Sequence, residues 1–255
     1  MSPETNYAQL ASKLASSLHL AQPPVAVCFS NLIPEGVGSH DGNVAAGCRF
    51  WQDAATASFA TSASDHSLCA IGVYTHNLQS SPAQQTDLMD ALKVFGDLTY
   101  VRQEDIAAIP VLKSQPKYII YSPLAVTRNR PDVVVLFVDA NQSLIVSEAT
   151  QQIENQSAPA MGRPACAAIP QVSNTGRAAM SLGCCGARAY LDVLTDDIAI
   201  FAIPGAKLAA YAERIEALSK ANTVLSKFHQ IRRHEIETGK TPTIKESLVA
   251  LSASS

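Results

Sequence analysis

The chain has 255 residues, of which 47% are hydrophobic and 16% are charged, and its formal net charge is −3. A chain of this length can bury a large core, as one big domain or two small ones. The weak negative charge gives no attraction to polyanions, which argues against nucleic acid as the main ligand. No stretch approaches the roughly 18 uninterrupted apolar residues that a membrane helix requires, so no membrane partner is expected.

The start of the chain bears on its compartment. The first thirty residues show neither the basic start nor the apolar core of a secretory signal, so we expect a cytoplasmic location. In that reducing compartment, the six cysteines are expected to be free, metal-bound or catalytic rather than joined in structural disulfides.

The first half of the chain alternates apolar patterns with turn residues. Helical spacing of apolar residues predicts an amphipathic helix over 7–18, and a buried strand follows at 25–29. Residues 30–47 are rich in glycine and proline and predict a loop. A strand at 66–74 and a helix at 87–95 complete this half.

The second half contains further short apolar strands. Strands are predicted at 117–122, 133–138 and 199–203, with a helix at 141–155 between the second and the third. The longest helical pattern runs from 207 to 237. The class is therefore α/β or α+β, with a central mixed sheet, flanking helices and a long C-terminal helix.

Residues 1–240 are expected to form a single domain, with helices at both ends, followed by a flexible polar tail over 241–255. The last long helix carries an apolar stripe over 208–228. That stripe can serve a homodimer, and it would look the same when packed on the chain's own sheet.

Four of the six cysteines lie in turns of small residues, where a thiolate can reach a metal or a metal cluster. They are Cys48, Cys69, Cys166 and Cys184. The first two are 21 residues apart and the last two are 18 apart, with a helix-like, alanine-containing stretch inside each pair. The two similar blocks suggest an internal pseudo-repeat. A cysteine just before a helix start is expected to have a lowered thiol pKa.

The alternative is that cysteine is simply a small apolar residue that is often buried. Cys28 fits that description because it lies in a predicted strand, and we leave it outside the site. Cys185 stays open because adjacent residues rarely serve one tetrahedral centre. For the other four, a shared metal site remains to be weighed against scattered core cysteines or disulfides.

Three segments resemble the uncharacterised ArCR family, a domain of unknown function. They are Pro24-Val25-Ala26-Val27, Pro131-Asp132-Val133-Val134-Val135 and Cys184-Cys185-Gly186-Ala187-Arg188. The likeness covers about 20 to 205 and supplies no established reaction. It implies that the four candidate cysteines match the family's cysteine positions, whereas Cys28 and Cys185 lie outside its pattern.

Two further residues compete for catalytic roles. His66 lies three residues before Cys69, where a histidine can be a general acid or base or a ligand, or simply a surface residue that caps a turn. Arg188 can bind an anionic substrate group or pair with an acid. Trp51, the only tryptophan, follows Cys48 and either walls the site or packs in the core.

Dispersed single cysteines favour a [4Fe–4S] cluster over zinc, because a cubane needs one thiolate at each of four separated corners. The first hypothesis is therefore an iron–sulfur protein that acts on a small anionic substrate, as a lyase or in a desulfurising reaction. The alternative is a noncatalytic module in which the thiolates hold haem, zinc or another metal. A third is an α/β scaffold with free buried thiols.

Overall fold

The structure is a computed structural model that describes residues 6–253. Within that range the chain forms one eight-stranded mixed sheet flanked by ten α-helices. The strands are β1 Val25–Ser30, β2 Gly38–Ser39, β3 Phe59–Thr61, β4 Tyr118–Pro123, β5 Val133–Val138, β6 Ala160–Met161, β7 Ala179–Ser181 and β8 Ala199–Pro204.

The helices lie on both faces and at the ends of this sheet. They are α1 Tyr7–Leu18, α2 Arg49–Asp53, α3 Ala70–Thr75, α4 Pro82–Asp97, α5 Gln103–Ile106, α6 Ala140–Glu154, α7 Ala168–Thr175, α8 Cys185–Tyr190, α9 Leu208–Glu237 and α10 Ile244–Ala253. None of these helices is long and apolar enough to cross a membrane.

Local sequence explains where the longer helices begin. α4 follows a capping box in which the Ser81 hydroxyl accepts from the backbone N–H of Gln84 and the Gln84 side chain accepts from that of Ser81. Asp139 and Gln142 form the same reciprocal pair ahead of α6, directly after the fully buried strand β5. Each cap satisfies N–H groups that the first turn of a helix leaves free.

The sheet is built from two halves with the same topology. Its strand order is β2-β3-β4-β1-β5-β8-β7-β6, which is palindromic when β1 to β4 are matched with β5 to β8. In both halves the second and third strands are parallel, and the other neighbours are antiparallel. The halves meet at the antiparallel pair of β1 and β5, which is the arrangement an approximate two-fold axis produces. The internal pseudo-repeat is thereby confirmed.

The registers repeat as well. Val25 opposes Pro123 in the first half, and the matching residue Val133 opposes Pro204 in the second. β4 and β8 each have six residues, end in proline and continue into a 3-10 turn. Gly205 begins the second of these turns because a Cβ there would lie 1.8 Å from the Pro131 carbonyl oxygen.

Side chains alternate between two cores across the sheet. Val25, Val27 and Tyr121 point to the face covered by α2, α3, α7 and α8, where the cysteines lie. Ala26 and Val134 point to the opposite face, which α1, α6 and α9 cover. The first half of the apolar stripe of α9 therefore packs on the chain's own sheet, whereas Val224 and Leu225 are about half exposed.

Most predicted elements are confirmed, and the differences are local. The strand predicted at 66–74 is wrong: His66 lies in a turn, and α3 follows Cys69. The Cys69 N–H donates to the His66 carbonyl, so the chain turns where a strand would extend. A short apolar run does not distinguish helix from strand. In addition, α10 packs on α9 where a polar tail was expected.

Each helix-like stretch between paired cysteines is in fact a helix followed by a strand. The first contains α2 and β3, and the second contains α7 and β7. The halves differ mainly in what they insert. Residues 76–117, with α4 and α5, separate α3 from β4, whereas only residues 191–198 separate α8 from β8. This insertion shapes one side of the site.

Candidate functional site

The four candidate cysteines occupy two pairs of equivalent positions. Cys48 and Cys166 each lie between the second strand of their half and the short helix that follows, α2 or α7. Cys69 and Cys184 each come after the third strand of their half and immediately precede α3 or α8. The two-fold arrangement of the sheet therefore brings the four residues to one place from four separate loops.

The four thiols belong to one core cluster. Cys48, Cys69 and Cys166 are buried, and Cys184 is partly exposed and packs against the same cluster. Burial is the main cause that raises the pKa of Cys48 to about 12, and the thiols of Cys69 and Cys184 add to it. Burial is also the main cause that raises the pKa of Cys166. The thiol of Cys69 contributes next, and those of Cys48 and Cys184 contribute less.

The expected lowering of thiol pKa at helix starts is outweighed. Backbone N–H groups of Gly47 and Gly72 do lower the pKa of Cys69, but burial raises it more. Cys184 accepts a hydrogen bond from the Ala187 N–H, at 3.5 Å, ahead of α8. Buried thiols without a counter-charge keep their protons, and a bound metal would replace those protons.

Two glycines leave room for the side chains of this site. A Cβ at Gly47 would lie 2.7 Å from His66 Nδ1, and a Cβ at Gly72 would lie 3.0 Å from Cys69 Sγ. Both distances are too short for any larger residue without displacing these side chains. Glycine at both positions therefore lets the loop before α2 and helix α3 approach Cys69 closely.

His66 is fully buried, so its interpretation as a surface cap is wrong. Its Nε2 lies 3.3 Å from Thr61 Oγ1, and its Nδ1 has no hydrogen-bond partner. Burial lowers the pKa of His66 to about 3, with a smaller contribution from His76, so the ring is neutral. A neutral ring whose Nε2 accepts from Thr61 carries its proton on the free Nδ1.

His76 is a second buried histidine, and the sequence analysis missed it. Its Nδ1 lies 2.9 Å from the Gly72 carbonyl oxygen, to which it donates, and its Nε2 has no partner. The Thr75 hydroxyl next to it lies 3.3 Å from Cys166 Sγ. His76 therefore presents an unprotonated nitrogen close to the cysteine cluster.

Buried polar atoms without a hydrogen-bond partner are costly and call for an explanation. Among the described residues there are four such side-chain atoms: Trp51 Nε1, His66 Nδ1, His76 Nε2 and Tyr121 Oη. Burial raises the pKa of Tyr121, and the thiols of Cys166, Cys69 and Cys48 add to it, which places its hydroxyl beside them. All four atoms thus belong to residues that surround the cysteine site.

Trp51 and Tyr121 differ in how far their positions could be predicted from sequence. Trp51 was recognised because it follows Cys48, and it packs in the core beside the site. Tyr121 lies in a correctly predicted strand and shares its face with Ile119. Alternation along that strand identifies an inward-facing position, but it does not reveal which core the strand faces.

The Arg188 side chain makes its hydrogen bonds to backbone carbonyls of its own loop. Its guanidinium donates to the carbonyls of Leu182, Thr195 and Ile198, the bond to Thr195 measuring 2.8 Å. The side chain thus ties the turn that carries Cys184 to the segment before β8.

Cys28 lies in β1 on the opposite face of the sheet, in a small cluster with Ala60 and Ile120, and its Sγ is 3.6 Å from the Arg130 carbonyl oxygen. Cys185 is exposed.

A cavity of about 390 Å³ reaches the site from outside. It lies between α4 and the turn Cys184-Cys185-Gly186, and Arg163 and Tyr100 also line it. Most of its other lining side chains are apolar. Cys184 is therefore the one candidate cysteine that lines an opening accessible to small molecules.

Four cysteines make a sulfur-only set of candidate donors at this place. Four thiols without a carboxylate are soft donors, which select iron–sulfur clusters, zinc or copper(I). A tetrahedral zinc ion with bonds of about 2.3 Å holds its four sulfurs about 3.8 Å apart. Within residues 6–253, no three or more His, Cys, Asp or Glu side chains are grouped so that they could hold a metal ion.

The fold and the cysteine positions together define an α/β protein in which two matching halves each bring two cysteines to one core. The chain belongs to the uncharacterised ArCR family, domain of unknown function 169, whose model matches residues 13–214. That range contains both halves of the sheet and all six cysteines. Comparison with curated proteins and with solved structures finds no match for the chain.

Proposed function

We propose that this protein holds a [4Fe–4S] cluster on Cys48, Cys69, Cys166 and Cys184, and that it acts on a small molecule admitted beside Cys184. The observation that carries the proposal is the convergence of these four thiols, in two equivalent pairs, on one buried place. A cubane has four corners and takes one thiolate at each.

The unpartnered polar atoms support the same proposal. Trp51 Nε1 is a donor, Tyr121 Oη can donate, and His66 Nδ1 has no partner among the described residues. A bound cluster supplies sulfide and thiolate acceptors for such groups, and hydrogen bonds to these sulfurs help to set its potential. The same groups would remain costly in a protein that never binds anything at this place.

The four cysteines would hold such a group from two sides. Cys48, Cys69 and Cys166 would hold it from the buried side, and the core around them excludes water. Cys184 would hold the side that lines the cavity. When bound, a cluster supplies either electron transfer or Lewis acidity, and the cavity beside Cys184 favours a small-molecule reaction of the lyase or desulfurising type.

One observation favours the alternative of a noncatalytic metal or haem module. His76 donates from Nδ1 to a backbone carbonyl and leaves Nε2 free, which is how proteins orient a metal-ligating histidine. Haem or a single metal bound through His76 would use that nitrogen.

All six cysteines are unpaired, which fits the reducing cytoplasm that we propose as the location.

Oxygen-free purification tests the proposal. We expect a brown protein with broad absorption near about 400 nm and about four irons and four acid-labile sulfides per chain. The variant C28S is the matched control because Cys28 is equally buried but lies on the other core. A sharp Soret band, or zinc alone, would support the alternative. Colourless wild-type protein after anaerobic reconstitution with iron and sulfide would refute the cluster.

A further inference from the structure

The cavity beside Cys184 is apolar over most of its wall. Leu88, Leu92 and Phe95 project from α4 on one side, and Cys184-Cys185-Gly186 forms the other. Phe95 is 38% exposed although it is a large apolar residue, as expected for a side chain at the edge of an open pocket. A wall of this kind binds the hydrocarbon part of a ligand.

Two charged side chains line the cavity, and one of them is already neutralised. The Asp105 carboxylate accepts hydrogen bonds of 2.9 and 2.6 Å from Arg102. The guanidinium of Arg163 lies over the Tyr100 ring, 3.7 Å from its centroid, and donates to the Tyr100 carbonyl. Arg163 makes no ion pair among the described residues; the hydrogen bond from Arg102 is the main cause that lowers the pKa of Asp105, and the charge of Arg163 also contributes. The cavity therefore offers one positive charge for a ligand.

Volume limits the size of that ligand. At about 30 Å³ for each water-sized group, a cavity of about 390 Å³ accommodates roughly a dozen non-hydrogen atoms. One unpaired guanidinium matches one planar carboxylate, which it can bind through two parallel hydrogen bonds.

We propose that this cavity binds small monocarboxylates with an apolar body of about a dozen atoms, the carboxylate at Arg163 and the body between α4 and Cys184-Cys185-Gly186. The inference deepens the proposed function and rests on it in one respect, because the bound carboxylate is a substrate only if Cys184 holds the cluster. Binding itself depends on the cavity alone.

Calorimetry with 3-phenylpropionate and its neutral amide tests the proposal on the full chain. We expect the wild type to bind the carboxylate about tenfold more tightly than the amide, because the amide forfeits the charge-assisted bonds to Arg163. R163Q should bind both with similar, weak affinity, and R163K should recover part of the preference. R177Q is the matched control: Arg177 is also exposed, lies outside the cavity and bonds to Gln156.

A cavity-filling variant provides a second readout. A91W places an indole in the apolar wall of α4 and should abolish binding of both compounds. The proposal is overturned if the wild type binds neither compound, binds both equally, or keeps its preference in R163Q. Iron and sulfide content, measured on the same samples, separates the two proposals. Carboxylate binding without a cluster refutes only the proposed function, and a cluster without carboxylate preference refutes only this inference.

Discussion

Cys69 and Cys184 are structural equivalents, although 115 positions separate them in the chain. Each immediately precedes a six-residue helix after the third strand of its half. They differ in surroundings, because α4 and the segment after it, inserted in the first half, build a cavity over Cys184 alone. Under the proposed function, Cys184 would be the ligand that a small molecule in this cavity reaches.

Serine substitutions should separate ligands from bystanders. We expect C48S, C69S and C166S each to lower the iron and sulfide retained after gel filtration by about tenfold or more, since even loss of an outer-shell partner costs 10–100-fold in metal affinity. C184S should do the same if it supplies the fourth thiolate. C28S and C185S should retain wild-type content. Equal loss in all six variants would contradict the assignment.

Tyr121→Phe should change stability in the opposite direction from Tyr211→Phe in metal-free protein. The Tyr121 hydroxyl lies beside the Trp51 side chain but makes no well-formed hydrogen bond, so its removal should raise the free energy of unfolding by about 1 kcal/mol. The Tyr211 hydroxyl donates toward Glu154 Oε1 at 3.1 Å and lies 3.2 Å from Thr150, so its removal should cost about 1 kcal/mol. Urea titrations measure both. If Y121F destabilised the metal-free protein, the Tyr121 hydroxyl would have to make a stabilising hydrogen bond there, and the prediction would be wrong.

Gly72→Ala should disturb the site, whereas Gly38→Ala should not. The added methyl would lie 3.0 Å from Cys69 Sγ and 3.2 Å from His66 Nδ1 in a buried place. Overpacking of this kind costs about 1–3 kcal/mol, partly offset by the higher helix propensity of alanine. Nothing lies within 4 Å of a Cβ at Gly38. Thermal unfolding and iron content test the pair, and equal behaviour of the two variants would argue against close packing around Cys69.

Glu216→Gln should destabilise the protein only at higher pH. Hydrogen bonds from Lys13 and Lys220 lower the pKa of Glu216 to about 2, and the first of these ties α1 to α9. Because the folded-state pKa is depressed, this stabilisation is complete above the usual value of 4.5 and is lost as pH falls toward about 2.

The urea midpoints of wild type and E216Q should therefore differ at pH 7 and converge near pH 2. Glu148→Gln is the matched control, because Glu148 is an exposed glutamate on α6 for which the described residues provide no ion pair. A difference between wild type and E216Q that persists at pH 2 would show that the lost contact is not ionic.

Prediction from sequence succeeded where local pattern decides the outcome. The apolar run at 133–138 is short and contains four valines, which favours a buried strand over a helix, and its bounds are correct. The prediction of a strand at 66–74 failed because its few apolar residues fit both periods. The turn that precedes Cys69 is held by Asp65, which accepts hydrogen bonds from the backbone N–H and the hydroxyl of Ser62. His76 carried no signal, since its role depends on what packs against it.

The sequence by itself determined the long helices α1, α4, α6 and α9, the long strands, the α/β class and the four cysteines in small-residue turns, because these follow from spacing along the chain. Tertiary structure alone decided that Cys48 and Cys166, and Cys69 and Cys184, are equivalent, since that depends on β1 pairing with β5. It also decided which buried polar atoms lack partners and that one arginine lines an apolar cavity. Such relations arise between residues far apart in the chain, where local periodicity carries no information.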